Sequence, residues 1–588
     1  MDPRAESRGY FLSRWLFLRL LGVVYLIAFA SLALQITGLV GEHGVMPAGR
    51  FLEWARSIYG GEAYRLLPTV FWLGSSDLAL RLVSWAGVGL ALLLVIGVAP
   101  LATLILLWLL YLSLTVAGQD FLSFQWDALL LEAGLLALLW APTQWLPRRS
   151  EPSPSSPARW LLVFLLFKLM FLSGITKLVS GDPTWRTATA LDYHFETQPL
   201  PPWTAWYAHD FPSGVHRAAT IAMLLTELFA PWLLFAPARL RSLRIAGCAA
   251  LVLFQLGIAA TGNYGFFNLL TIVLCVPVLD DALLGRLLPL RLAADGVESR
   301  TRRRLIAVAA PLVLFLSLLS LGREIAYTLP GARGLGYVPR WSEQLMEWVA
   351  PLRSINGYGL FRVMTTERPE LVIEGSADGI EWTEYEFRYK PSAVTRRPRF
   401  VAPFHPRLDW QRWFAALDPV GNYEWLQSLA GHLRAGTPEV LALLGRNPFR
   451  DAPPRFVRLV KYDYRFSTPE ERRRTGAWWV REPVGDGRES LGLAPSPEPV
   501  QKRPEPGRLT QRGEIRIVFS PGRTRPCSAC MQAMPYEHAP IIGIERQCPQ
   551  LTPERGPAAA LCDGEPDHHA ELAQREEGDE RPRRRRVP

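Results

Sequence analysis

"RWLLVFLLFKLMFLSGITKLVS", residues 159–180, is an apolar run that carries two lysines. About 20 mostly apolar residues cross the ~30 Å hydrocarbon core of a bilayer, so this run predicts a transmembrane helix. A charge at the bilayer centre costs at least about 2.5–3.5 kcal/mol, so Lys168 requires a partner inside the protein. Asp127 and Glu132 are the acidic residues available to pair with it, and Glu227 is a further charge within the apolar half. Lys177 sits near the outer end of the run, where a long side chain can snorkel to water. At about 100° per residue, the separation of Lys168 and Lys177 puts them on roughly opposite faces, so they are not expected to share a site.

Similar apolar runs lie to either side. Together they predict about nine spans, near 15–37, 78–97, 100–117, 126–141, 159–180, 218–236, 243–261, 264–279 and 304–322. The fourth and eighth are short, as re-entrant or tilted segments are. The first is too long for a cleavable signal peptide and no small-residue cleavage site follows it. With the N-terminus cytoplasmic, the cytoplasmic segments 1–14, 98–99, 141–158, 237–242 and 279–303 carry twelve Arg, and the opposite loops carry five. That asymmetry follows the positive-inside rule, and an odd number of spans puts everything after residue 322 on the non-cytoplasmic side.

The 588 residues suffice for two or three domains. Apolar residues make up 49%, concentrated in the first half, while Arg, Pro, Glu and aromatics dominate the second. The net charge of +10 reflects Arg in short inter-span loops. No basic-aromatic RNA motif or zinc finger accompanies it, so nucleic acid is not an expected partner. Lys occurs only at 168, 177, 390, 461 and 502.

The loop after Lys177, "SGDPTWRTATALDYHFETQPLPPWTAWYAHDFP" (180–212), has no lipid-compatible run. Interfacial aromatics account for Trp185 and Trp203. A long polar, aromatic loop often carries binding function, which makes Asp192, Tyr193, His194 and Glu196 candidates for partner contact.

From about Gly336 to Glu482 the pattern turns to period two. "ELVIEG" (370–375), "SADGIE" (376–381) and "WTEYEFRY" (382–389) predict a hairpin with Asp378-Gly379 at its turn. Tyr385, Phe387 and Tyr389 point to one face, and Trp382, Glu384, Glu386 and Arg388 to the other. "RFVRLVKYDYRF" (455–466) alternates likewise, and "DWQRWFAAL" (409–417) and "EWLQSLAGHLRAG" (424–436) read as short helices. A β-rich domain is expected, plausibly sandwich-like, that packs its own core and has one wet face. Trp382 on the hairpin, and His405, Arg407, Asp409 and Trp410 in "VAPFHPRLDWQRW" (401–413), are further candidates for partner contact. An ordered hydrogen-bonded loop is the plainer reading of the latter group. No hydrolase, metalloprotease or phosphate-loop motif occurs, and neither metal nor cofactor is expected.

Beyond about residue 486 the chain is rich in Pro, Arg and Glu without periodicity, which predicts disorder. Its Cys527-x-x-Cys530 pair lacks the strand-helix context of a redox motif. The organisation expected is a membrane domain at 1–322, a soluble β-rich domain at 323–485 and a tail at 486–588.

Five stretches resemble the lipase maturation factor family: "FQWDALLLEAG" (124–134), "FLSGITKLVSGDPTWRTATALDYHFETQPLP" (171–201), "GYGLFRVMTTERPELVIEGSADGIEWTEYEFRYKP" (357–391), "RRPRFVAPFHPRLDWQRWFAAL" (396–417) and "LLGRNPFRDAPPRFVRLVKYDYRF" (443–466). The resemblance implies a polytopic membrane protein whose soluble domain faces the lumen. It implies assistance in folding or assembly of secreted proteins, dimeric lipases in the endoplasmic reticulum of animals, with those clients and the bilayer as partners. In a bacterium the corresponding site is the cytoplasmic membrane. A smaller likeness pulls elsewhere. "SGITKL" followed by Trp on a multi-span scaffold is similar to the membrane domain of vitamin K-dependent carboxylase-like proteins. It would make Lys177 a catalytic base, which needs burial to lose its proton.

Overall fold

The computed structural model describes residues 9–147, 150–288, 293–294, 298–329, 339–417, 424–484 and 490–492. The tail beyond 492, with Cys527, Cys530 and the closing arginines, lies outside the described residues. The first half is helical: α1 Phe11–Ala33, α2 Asp77–Ile96, α3 Pro100–Ala117, α4 Gln125–Trp140, α5 Ser156–Val179, α6 Ala190–Thr197, α7 Ser213–Leu233, α8 Arg241–Thr261, α9 Phe267–Cys275 and α10 Arg300–Thr328.

Six of these, α1, α2, α3, α5, α8 and α10, are long and apolar enough to cross a membrane. All nine expected runs are helical, but three depart from a simple span. The 16 residues of α4 reach only about 24 Å, and most of them are buried within the bundle. The α7 helix contains Pro231 near its C-terminal end and carries buried Glu227. The α9 helix runs on to Val278 and then turns by 118° into Asp281–Leu287. Counting that bent pair as one span raises the number among the described residues to seven.

Local sequence explains the tight α2–α3 hairpin. Ser76 caps the α2 N-terminus by accepting from the Ala79 amide, and Gly97 closes its C-terminus in the left-handed region. Pro100 then starts α3, where its missing N–H is not needed. The outer helices present apolar side chains with no protein cover: Leu82, Trp85 and Ile96 on α2, Leu253 and Leu256 on α8, Val308, Leu312 and Leu318 on α10. Faces of this kind belong against lipid. The chain is a multi-pass membrane protein.

The second half contains a five-stranded antiparallel sheet. Its strands are β1 Pro369–Ser376, β2 Thr383–Glu384, β5 Phe456–Phe466, β6 Trp479–Pro483 and β7 Ser490–Gly492. A separate ladder pairs β3 Glu386–Phe387 with β4 Leu444–Arg446. β1 lies between β2 and β5, with Val372 opposite Val460. Seven of its eight residues are buried, so it is a central strand rather than half of a wet hairpin. After α11 Arg340–Val349, helices α12 Arg407–Leu417 and α13 Glu424–Ala435 pack on β1 and β5 respectively. The layer against these strands is therefore helical, where the alternating sequence had suggested a second sheet. β7 pairs with β5, with Leu491 opposite Leu459.

The alternation of β5 conceals a change of face. Val457 and Leu459 join the main apolar core, whereas Tyr464 and Phe466 join a second cluster with Trp206, Trp478 and Trp479. At the hairpin tip only Gly379 has positive φ. Asp378 Oδ1 accepts from the amides of Ile380 and Glu381, which organises a loop longer than a two-residue turn. The main core is continuous across both halves: Tyr25, Tyr111 and Trp126 share it with Ile373, Leu408, Trp425 and Leu459.

Candidate functional site

The two lysines of α5 each anchor a group of buried polar side chains. In the first, Lys168 Nζ lies 2.5 Å from Glu132 Oε1, with both side chains essentially inaccessible. Glu132 Oε2 also accepts from the Tyr358 hydroxyl at 2.7 Å and from the Asn356 amide at 3.2 Å. The segment entering the β-rich region thus completes the hydrogen bonding of a carboxylate on α4. Burial of an ion pair is tolerable when its remaining lone pairs are satisfied in this way.

The second place is a cavity of about 520 Å³ bounded by α5, α6, α7, α8 and Phe361. Lys177 Nζ lies there 2.8 Å from both oxygens of Glu227 and 3.1 Å from the Ser173 carbonyl. Lys177 is 5% exposed, so it is paired inside the protein instead of snorkelling to water. Gly174 makes the pairing possible: a Cβ there would lie 3.0 Å from Glu227 Cβ, so a side chain would push α7 away. Trp185 stands with its ring centroid 5.4 Å from Nζ, and its indole N–H donates to the Phe361 carbonyl. Three acceptor oxygens thus surround Nζ.

On the opposite wall His194 Nε2 lies 3.2 Å from the Tyr264 hydroxyl, which donates to Gln198 Oε1 at 3.2 Å. Gln198 uses its own amide hydrogens on the Thr261 and Phe195 carbonyls. Burial, with a smaller contribution from the Lys177 charge, lowers the His194 pKa to about 4. The imidazole is thus neutral at physiological pH.

The residues singled out in the sequence fall into three separate places. Lys177 and His194 line the cavity. Their neighbours on α6 face elsewhere: Asp192 Oδ1 holds His216 Nδ1 at 2.9 Å, Tyr193 packs beside Trp185 and Met364, and Glu196 accepts from the Phe466 amide at 3.0 Å. Trp382, half-buried on the hairpin, lies under the Arg458 guanidinium at 4.0 Å. The third place is the seam between the helices and the sheet. Arg407 pairs there with Asp127, and Asp409 accepts from the amides of Tyr389 and Lys390. His405 and Trp410 pack edge-on against Trp126. All four of these residues are buried, so they join the halves and are not on an accessible surface.

Sequence reasoning noted Glu227 only as a charge in an apolar run and passed over Tyr264, Gln255, Asn268 and Phe361, all of which line the cavity. For all of these but Phe361, polar residues within predicted spans were the available signal. Among the described residues no group of three or more His, Cys, Asp or Glu is arranged to hold a metal ion.

Comparison with known proteins accounts for both halves. Residues 12–286 match the lipase maturation factor transmembrane domain, and residues 354–488 match the lipase maturation factor C-terminal domain. Lipase maturation factor 2 of Homo sapiens is 37% identical, over 82% of this chain and 83% of the relative. Lipase maturation factor 1 of Mus musculus is 35% identical, over 82% and 87%. Lipase maturation factor 2 of Gallus gallus is 36% identical over 80% of each. No solved structure matches. With both domains matched in order and relatives above 30% identity along most of their length, the chain belongs to the lipase maturation factor family.

Proposed function

We propose that this protein is a membrane-bound maturation factor that assists the folding or assembly of secreted proteins, lipases foremost. The observation that carries the reading is the match of both halves to relatives named for lipase maturation. The close pairing of Lys177 with Glu227 weighs against the carboxylase-like alternative. The N-terminus is cytoplasmic and residues 323–588 lie on the non-cytoplasmic side, where secreted clients fold, with nine membrane crossings in all. The membrane is that of the endoplasmic reticulum in a eukaryote and the cytoplasmic membrane in a bacterium. The hairpin carrying Trp382 is the client-facing element, since its tip residue Ile380 is 81% exposed.

Deleting the gene in its host and measuring secreted lipase activity and lipase protein separately tests this reading. The activity per secreted lipase molecule is expected to fall. Unchanged specific activity across the secreted lipases would overturn it.

A further inference from the structure

The cavity between α5, α7 and α8 has a wall chemistry that selects a ligand. Its open side lies where Ala219, Ala222, Leu253 and Gly257 both line it and are exposed. Leu253 and its neighbour Leu256 belong to the uncovered apolar face of α8, a helix long enough to span the bilayer. The opening therefore faces hydrocarbon, and an apolar chain can enter from the side without crossing water.

The polar end carries no uncompensated charge, because Lys177 is neutralised by Glu227 at 2.8 Å. Its hydroxyl and indole donors are used within the protein. Ser173 donates to the Leu169 carbonyl, Thr226 to Ala222, Thr261 to Gly257 and Trp185 to Phe361. The Tyr264 hydroxyl is committed to Gln198, so His194 Nε2 must be the protonated nitrogen that donates to the Tyr264 oxygen. Among the described residues no donor reaches His194 Nδ1, which is then a bare acceptor. The amide hydrogens left over belong to Gln255 and Asn268, which are only 2% and 5% exposed and are bonded to each other. A wall that offers acceptors and no free cation favours a ligand head that donates.

We propose that this cavity binds an uncharged, hydroxyl-headed amphiphile drawn from the bilayer, of the mono- or diacylglycerol type, with its chain between α7 and α8 and its hydroxyl on His194 Nδ1. The site is independent of the client-assisting role and does not need it.

The test uses the full chain in nanodiscs with photoactivatable diacylglycerol, and separately with a photoactivatable fatty acid of the same chain. The diacylglycerol probe is expected to label peptides of α7 and α8. Ala222→Trp, which plugs the opening, is expected to cut that labelling at least about tenfold. His194→Phe, which keeps the ring and removes the acceptor, is expected to cut it about fivefold, the worth of one hydrogen bond. Gly257→Leu plugs the opening from the other helix, where an added Cβ meets nothing within 4 Å, and serves if the tryptophan variant fails to fold. Labelling that persists in a folded plugged variant, or a fatty-acid probe that labels these peptides as strongly as the diacylglycerol, would overturn the proposal.

Discussion

Arg407 and Asp127, 280 residues apart in the chain, meet through two hydrogen bonds of 2.5 and 2.7 Å in a place where both side chains are almost fully buried. Asp127 belongs to α4 in the helical half and Arg407 opens α12 beside the sheet. The Tyr111 hydroxyl also donates to Asp127, and the guanidinium donates further to the Phe121 carbonyl. The pair fixes the β-rich region onto the membrane half at one defined position.

Arg407→Met is expected to destabilise the detergent-solubilised chain by about 3–5 kcal/mol, because it strands a buried carboxylate. The double variant Arg407→Met/Asp127→Leu is expected to regain most of that loss. Thermal denaturation of the three proteins checks both statements. Equal melting of the single and double variants would contradict them.

His405 behaves differently. Both its ring nitrogens are buried and unpartnered, and burial, reinforced by the Arg407 charge, holds its pKa well below that of free histidine. It serves as a flat neutral ring among Phe124, Trp126 and Trp410. His405→Phe is therefore expected to be neutral or stabilising, whereas His405→Ala is expected to cost about 2–4 kcal/mol through the cavity it leaves. The same melting measurement distinguishes the two.

Lys390 gives the fold a pH dependence. It lies 2.6 Å from Glu370 in the β-rich region, with Arg368 on the other side of the same carboxylate. Burial outweighs the attraction of Glu370, and Arg412 and Arg368 add to the effect, so the Lys390 pKa is lowered to about 8. The unfolded value is about 10.4. Between pH 8 and 10.4 the unfolded chain holds more protons at this residue than the folded chain, so its contribution to stability rises with pH across that window. Unfolding of the wild type and Lys390→Met at several pH values between 7 and 10.5 checks this. The unfolding free energy of Lys390→Met minus that of the wild type is expected to fall algebraically as pH rises through this window.

Lys177→Arg conserves the charge opposite Glu227 and is expected to keep most of the maturation activity. Glu227→Ala is expected to lose it along with about 3–5 kcal/mol of stability, since the lysine is left buried and unpaired. Secreted lipase activity in a complemented deletion strain reads both. Loss of activity in a folded, inserted Lys177→Arg protein would favour a role for a neutral amine, which arginine cannot supply.

The apolar runs were legible because a bilayer imposes length and composition on each helix separately. That Lys168 needs a partner was legible for a related reason, but the sequence left Asp127 and Glu132 equally open, and the structure pairs it with Glu132. Lys177 was read as hydrated because it stands near a helix end. Its burial depends on Gly174 admitting α7, which local sequence cannot reveal. The strand at 456–466 was evident from its alternation, but the switch from one core to the other depends on which elements cover each end. Arg407 and Asp127 could not be matched because tertiary packing alone joins positions so far apart. For the same reason residues 336–482 read as a region with its own core, although that core is continuous with the helices.

The β-rich region and the helices form one body held by a shared apolar core and buried polar contacts. Placing a protease site within residues 330–338 and cutting the purified protein tests it directly. The C-terminal fragment is expected to stay bound to the helical fragment in mild detergent through size-exclusion chromatography, and to separate when Arg407→Met and Tyr358→Phe are combined. A wild-type C-terminal fragment that elutes alone and folded would contradict the account.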